Sequence, residues 1–377
     1  MTHLAPSAST GRRLAAHADA AETTFDASDA HEFFDGGRGY FNACSMGIPT
    51  RDVARAMTDD AADWLRGDAS PSGYTAVVES ARARFAQRVG CPVQRVAIGA
   101  QTSVFASLFA AAVPSGSEVL CVDGDFSSMV FPFLVAGAEI GYTVRHVPLH
   151  ALAAEIGPRT AVVSFSLVQS IDGAMADVDA VRTAAARHDA LTLCDLTQAA
   201  GAVPVDATHY DATITNAYKW LMAPRGVAFL TLSPRAAGFV KPLHAGWYAG
   251  EDVLASFYGP TMTLARTARR FDVSPAFPAW VGADAALAFL DRFGSDDVWE
   301  HNISLADAFC VGVGIEPRGR AIVSLDDPDG ERFRAMSRAD LRATQPDGRL
   351  RVSFHLWNTL DDVAAAVRAV RSSERRP

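Results

Sequence analysis

Ala212-Thr-Ile-Thr-Asn216-Ala-Tyr218-Lys219-Trp220-Leu-Met-Ala-Pro-Arg-Gly226 joins the end of an apolar run to one of the rarest side chains in the protein. Residues 212–214 are small and β-branched, as expected of a buried strand. A second apolar run, 227–232, follows directly. Too few residues separate the two runs for a helical crossover, so one strand is expected to run antiparallel to the rest. Lys219 is one of only two lysines among 34 basic side chains; the other is Lys241. Arginine serves most surface roles of lysine. It does not serve the chemical ones, because a guanidinium keeps its proton and does not form a Schiff base. An ordinary solvated charge is the competing reading for both. Lys241, just before Pro242, fits it; Lys219, at a strand end, does not.

Outward from this stretch, short apolar runs recur at 96–98, 119–122, 144–147, 161–165 and 191–194. Helical patterns lie at 53–65 and 77–89 and between several of the runs, for example 103–112 and 178–188. Near-continuous apolar strands alternating with helices imply an α/β fold, a mostly parallel seven-stranded sheet covered on both faces. After residue 242 the rhythm changes to a loop-rich stretch. Helices at 280–293 and 298–311 follow, then a strand at 322–325, a helix at 338–344, a strand at 350–354 and a helix at 360–370. The expected organisation is an N-terminal arm (1–50), a large α/β domain (51–245) and a smaller α+β C-terminal domain (246–377). Ligands of such sheets bind beyond the carboxyl ends of the strands.

Composition narrows the class. The net charge of −9 and the lack of a basic block argue against nucleic acid. The uncharged stretch between Arg95 and Glu118 holds Gln101, Thr102, Ser103 and Pro114, which suits buried core rather than a membrane span. Arg12 and Arg13 precede no apolar run, so no signal peptide is expected. The five cysteines are scattered with no CxxC pair, which fits reduced thiols and a cytoplasmic protein. No metal site is expected. His146 and His150 have suitable spacing, but Pro148 breaks the helix they would need.

A lysine, a carboxylate (Asp195), amides, hydroxyls and an aromatic ring at successive strand ends form a set that pyridoxal 5'-phosphate requires. Three motifs sharpen this: Asp195-Leu-Thr-Gln198-Ala-Ala-Gly201, the Lys219 stretch 24 residues on, and Leu350-Arg351-Val-Ser353-Phe-His-Leu-Trp357-Asn358-Thr359. With Tyr40-Phe-Asn42-Ala-Cys44-Ser-Met-Gly47-Ile-Pro49, they make the sequence from about 38 to 372 resemble the class V aminotransferase family of fold-type-I pyridoxal-phosphate enzymes. That family includes cysteine desulfurases, selenocysteine lyases and kynureninases. The resemblance implies that Lys219 holds the cofactor as a Schiff base and moves the substrate α-proton. It implies Asp195 at the pyridine nitrogen, Gln198 and Ser170 near the phenolic oxygen, and Phe126 stacked on the ring. Gln101, Thr102 and Tyr218 would serve the phosphate, with Trp247 and Ser274 reaching it across a homodimer with shared sites. Arg351 would clamp the substrate carboxylate.

The resemblance leaves the reaction open between an aminotransferase and a desulfurase-like C–S or β-elimination lyase acting on a small amino acid. Phe126, Tyr218 and Trp247 also resemble a kynureninase, and Gln198 does not. A non-catalytic cofactor-binding sensor is the reading from a different class. Residues 311–350 lack the cysteine that many desulfurases carry there, Cys310 falls in an apolar helical pattern, and a packed side chain is the simpler reading of Cys44.

Overall fold

The computed structural model describes residues 26–373. Its main sheet has seven strands: β1 (Val96–Gly99), β2 (Glu118–Val122), β3 (Thr143–Val147), β4 (Thr160–Ser166), β5 (Leu191–Asp195), β6 (Ala212–Asn216) and β7 (Ala228–Leu232). Their order is β1-β7-β6-β5-β4-β2-β3. The ladders from β3 to β6 are parallel, and β7 runs antiparallel to both β6 and β1. The short β6–β7 connection forces this reversal, as the sequence suggests. β2, β5 and β7 are buried along their length, while β3, at one edge, is largely solvated.

Helices cover both faces: α1 (Arg51–Arg66), α2 (Pro71–Arg88), α3 (Thr102–Ala110), α4 (Ser127–Ile140), α5 (Leu152–Glu155), α6 (Val178–His188), α7 (Pro234–Phe239) and α8 (Phe277–Leu290). Local chemistry sets several ends. Thr50 Oγ1 accepts the Val53 N–H to start α1, and Gly67 closes it with φ 76°. Asp177 caps α6 in the same way. The periodicity does not mark α4, because it is apolar on most sides and carries Pro132 inside.

A second sheet pairs β8 (Ile322–Asp326) with β9 (Arg349–Ser353). It shares a core with α9 (Ser295–Val313), α10 (Glu331–Arg338) and α11 (Leu360–Ser373), built around Phe309, Leu350, Val352 and Val370. Here one expectation is overturned. The helix read at 338–344 lies upstream, at 331–338. The Asp327 carboxylate accepts the Arg332 and Phe333 N–H groups at 3.0 and 2.9 Å, which starts the helix early. Beyond it Asp340 turns the chain at φ 58°, and Arg342 and Thr344 spend their backbone groups on bridges to Tyr40 and Arg351.

The first 25 residues of the arm lie outside the described residues. The next part of the arm is ordered by its own contacts. Ala27–Phe33 forms a short 3-10 helix capped by Asp26. Phe34 then packs edge-on against Phe289 and Trp357. Phe41 bonds Arg342 and Ser353, which carries the N-terminal motif to the second sheet.

One buried ion pair holds the start of β1. Arg82 (1% exposed) meets Asp272 (0%) at 2.7 Å, and each also bonds the backbone of β1, at Val96 O and Ile98 N. The paired charges satisfy each other where water is excluded. No helix among the described residues is long and apolar enough to cross a membrane, and none of their His, Cys, Asp and Glu side chains cluster as a metal site.

Candidate active site

β6 ends at Asn216, and the chain then turns so that Lys219 faces inward. The turn is tight. Met222 adopts φ 56°, a conformation that non-glycine residues rarely hold without support. The support is local: Gly47 N donates to Tyr218 O at 2.8 Å, and a Cβ on Gly47 would lie 2.1 Å from Lys219 O. On the other side Gly201, with φ 88°, leaves room for Trp220 O, which a Cβ would approach to 2.7 Å. His355, fully buried, places Nε2 2.9 Å from the same carbonyl. Burial holds its pKa down to about 3, so the ring is neutral and donates through Nε2. None of this support was visible from the Lys219 motif alone, because its members are distant in sequence.

Lys219 is buried, with 4% exposure, and its amine makes no hydrogen bond or ion pair among the described residues. Its Nζ lies 5.2 Å from the Phe126 ring centroid and 5.9 Å from that of Tyr218. Burial lowers its pKa to about 8; Asp195 opposes the shift, and Arg351 and Arg225 add to it. Asp195, at the end of β5, accepts the Thr197 N–H at 2.7 Å. Burial raises its pKa to about 6, against the pull of Thr197 and Lys219. It therefore remains an anion at neutral pH, in a place where an unpaired anion is costly.

Arg351 projects from β9 and is 8% exposed. Its Nε donates to Thr344 Oγ1 at 3.2 Å and its Nη2 to Ser45 Oγ at 2.9 Å. Nη1 donates to the carbonyl and hydroxyl oxygens of Ser170. All of these partners are neutral, so the cation has no counter-charge. Ser45 and Thr344 were not singled out from the sequence; nothing in their spacing relates them to Arg351.

The other expected residues divide into two sets. Thr102 opens α3, and its Oγ1 receives the Asn216 Nδ2 donor at 2.6 Å; Gln101 is the exposed N-cap. Gln198 is tied at both ends, donating to Cys44 O at 2.9 Å and accepting from Trp220 Nε1 at 2.7 Å. Tyr218 carries the Arg225 guanidinium over its ring at 4.1 Å. Thr102, Gln198 and Tyr218 thus adjoin the 216–220 turn that carries Lys219. Trp247 and Ser274 make no recorded contact with that group. Trp247 packs on Tyr248 and Phe257, and Ser274 is exposed just after Val273, whose N–H bonds Ile98 O. Lys241 is exposed, as an ordinary surface charge should be.

Comparison with known proteins identifies the family. The model of the class-V aminotransferase family matches residues 60–315. An uncharacterized aminotransferase, YcbU, from Bacillus subtilis is 26% identical over 86% of this chain and 91% of its own. A kynureninase from Deinococcus radiodurans is 28% identical over 72% of this chain and 70% of its own. Among solved structures, the cystine C-S lyase C-DES in complex with its product cysteine persulfide superposes with TM-score 0.79 at 19% identity, covering 91% of this chain and 99% of that one.

The residues present fit pyridoxal phosphate. A buried amine without a partner suits a carbonyl, a buried carboxylate suits a protonated ring nitrogen, and Phe126 offers an aromatic face beside the amine. The free N–H groups at the start of α3 suit a phosphate dianion. The chain belongs to the class-V aminotransferase family and is a pyridoxal-phosphate-dependent enzyme.

Proposed function

We propose that the enzyme acts at the α-carbon of a small amino acid, transferring its amino group or eliminating a β-substituent. Pyridoxal phosphate, when bound, supplies an aldehyde that joins amines and a ring that withdraws electrons from the α-carbon. Arg351 carries the reading. Its buried guanidinium meets only neutral oxygens, and a substrate carboxylate would supply the missing anion through charge-assisted hydrogen bonds. Lys219, with a pKa near 8, takes the α-proton and returns it. Asp195 holds the proton on the pyridine nitrogen. With the cofactor bound, Phe126 would cover one ring face, Gln101, Thr102 and Tyr218 would hold the phosphate, and Ser170 and Gln198 would serve the phenolic oxygen. Trp247 and Ser274, which stand apart from their own chain's Lys219, complete the site of a second copy.

The homodimer and a cytoplasmic location belong to the same reading. Exposed Leu243, Leu254, Tyr258 and Met262 flank the Trp247 segment along the chain, and all five cysteines are free thiols. A relay through a mobile thiol gains no support: Cys44 and Cys310 are 1% and 4% exposed. Kynureninase-like hydrolysis is the second reading, favoured by Phe126 beside Lys219 and by Tyr218.

The test is to incubate holoenzyme with a panel of amino acids, with and without a 2-oxo acid acceptor. Amino transfer requires the acceptor and yields a new amino acid. Elimination releases ammonia, pyruvate or sulfide without it. Anthranilate from kynurenine selects the second reading. Turnover of no amino acid by protein that carries cofactor contradicts the proposal and favours the non-catalytic sensor.

A further inference from the structure

The turn between β2 and α4 carries Phe126, and the residue before it holds that turn in place. Asp125 Oδ1 accepts the Phe126 N–H at 2.7 Å and the Ser166 hydroxyl at 2.5 Å, while Oδ2 accepts the Ser166 N–H at 2.8 Å. Every partner is a donor, so the position calls for an acceptor at both oxygens. A carboxylate provides that; an amide would turn its NH2 toward another donor. Ser166 ends β4 and is the register partner of Asp195 on β5. The next N–H, of Leu167, donates to Asp195 O at 3.0 Å. Burial raises the Asp195 pKa, and Asp125 adds to that shift, as expected of carboxylates lying near each other. Asp125 therefore ties the Phe126 turn to the strand end beside Asp195.

We propose that Asp125 is a positioning residue for the reaction, fixing Phe126 over the cofactor ring in register with Asp195 at the ring's edge. The proposal rests on the reading that puts Phe126 on a ring face and Asp195 at the ring nitrogen. Phe126 needs such a tie. It is 42% exposed, its ring lies 5.2 Å from Lys219 Nζ, and as N-cap of α4 it makes no side-chain cap bond. An aromatic face contributes only while its distance and tilt to the other ring are kept. The face contact and the edge contact come from different strand ends, β2 and β5, and a ring held by both needs them fixed relative to each other. The Asp125–Ser166 bonds do this through β4, which lies between those strands in the sheet. Asp125 itself touches no reacting atom in this account; it acts through Phe126.

The experiment is a double-mutant cycle on the full chain, read as the Kd for pyridoxal phosphate when apo-protein is titrated and followed by absorbance. Phe126→Ala should raise Kd about tenfold, through loss of the aromatic face. Asp125→Asn, which keeps the size but sets donor against donor, should raise it about fivefold. In the Phe126→Ala background, Asp125→Asn should change Kd by less than about twofold, because the residue it acts through is gone. The same loss from Asp125→Asn in both backgrounds overturns the proposal, since Asp125 then acts through the fold or through its charge near Asp195. An unchanged Kd for Asp125→Asn alone overturns it too. An unchanged Kd for Phe126→Ala is a separate result: it takes Phe126 off the ring face, so the earlier reading fails and the proposal falls with it. If Asp125→Asn does not fold, Ser166→Ala replaces it. That variant removes the hydroxyl bond and keeps the backbone one, and should raise Kd about twofold with Phe126 present and not at all without it; equal losses in the two backgrounds, or no loss in either, reject the proposal.

Discussion

Asn216 Nδ2 donates to Thr102 Oγ1 over 2.6 Å, joining the strand that presents Lys219 to the start of α3, where the proposed function puts the cofactor phosphate. The two residues are far apart in sequence, and the contact fixes amine and phosphate site relative to each other. Asn216→Ala removes one hydrogen bond and leaves Thr102 buried without it. The expected outcome is a Kd for pyridoxal phosphate about tenfold higher, with kcat at saturating cofactor changed less. Titration of apo-protein with cofactor, followed by absorbance, measures both.

The Lys219 amine should be reactive at mild pH. Its pKa stands near 8 rather than at the ordinary 10.5, chiefly because burial disfavours the cation. Only the neutral amine attacks a carbonyl. The rate at which apo-protein captures pyridoxal phosphate is therefore expected to rise with pH and level off above about 8. A rate still climbing tenfold per pH unit at pH 9.5 would show an unperturbed lysine.

Asp195 predicts an opposition between stability and function. Its folded pKa, about 6, lies above the ordinary 3.8, so the folded apo-protein holds the proton more tightly than the unfolded chain. Stability from this group is greatest below 3.8, falls as pH rises through the interval from 3.8 to 6, and is gone above it. Asp195→Asn removes that buried charge. At pH 9, where Lys219 is mostly neutral, the apo variant should have a Tm no lower than the parent. Its turnover should fall by about two orders of magnitude, because the ring loses a charge placed to hold its proton. Calorimetry and steady-state kinetics read the two halves separately.

Arg351 should act on substrate and not on cofactor. Arg351→Gln keeps a donor toward Ser170 but removes the charge. The expected result is a KM for the amino acid raised roughly a hundredfold, with the cofactor's absorbance and Kd unchanged. Loss of cofactor instead would reassign this side chain.

How much of this was legible in sequence follows from separation along the chain. All seven strands of the main sheet and the reversal at β7 show in the apolar runs, because buried strands need no polar partner to announce them. Lys219 and Asp195 stand out in the sequence because Asp195 ends β5 and Lys219 follows closely on the end of β6. The helix before β9 lies upstream of its expected place because the Asp327 carboxylate, which no apolar periodicity marks, starts it early. Helix α4 was hidden by Pro132. The neutral cage of Arg351 draws Ser45, Ser170 and Thr344 from three separate segments, and only the folded chain brings them together. Gln198, expected near the phenolic oxygen, also serves as a brace between Cys44 and Trp220, a role that no local pattern encodes.

The most direct test of the central claim is reduction of the yellow holoenzyme with borohydride, followed by proteolysis and peptide mapping. The account predicts one labelled peptide, with the cofactor fixed on Lys219 and none on Lys241. Label on Lys241, or protein that remains colourless after reconstitution with pyridoxal phosphate, would contradict it.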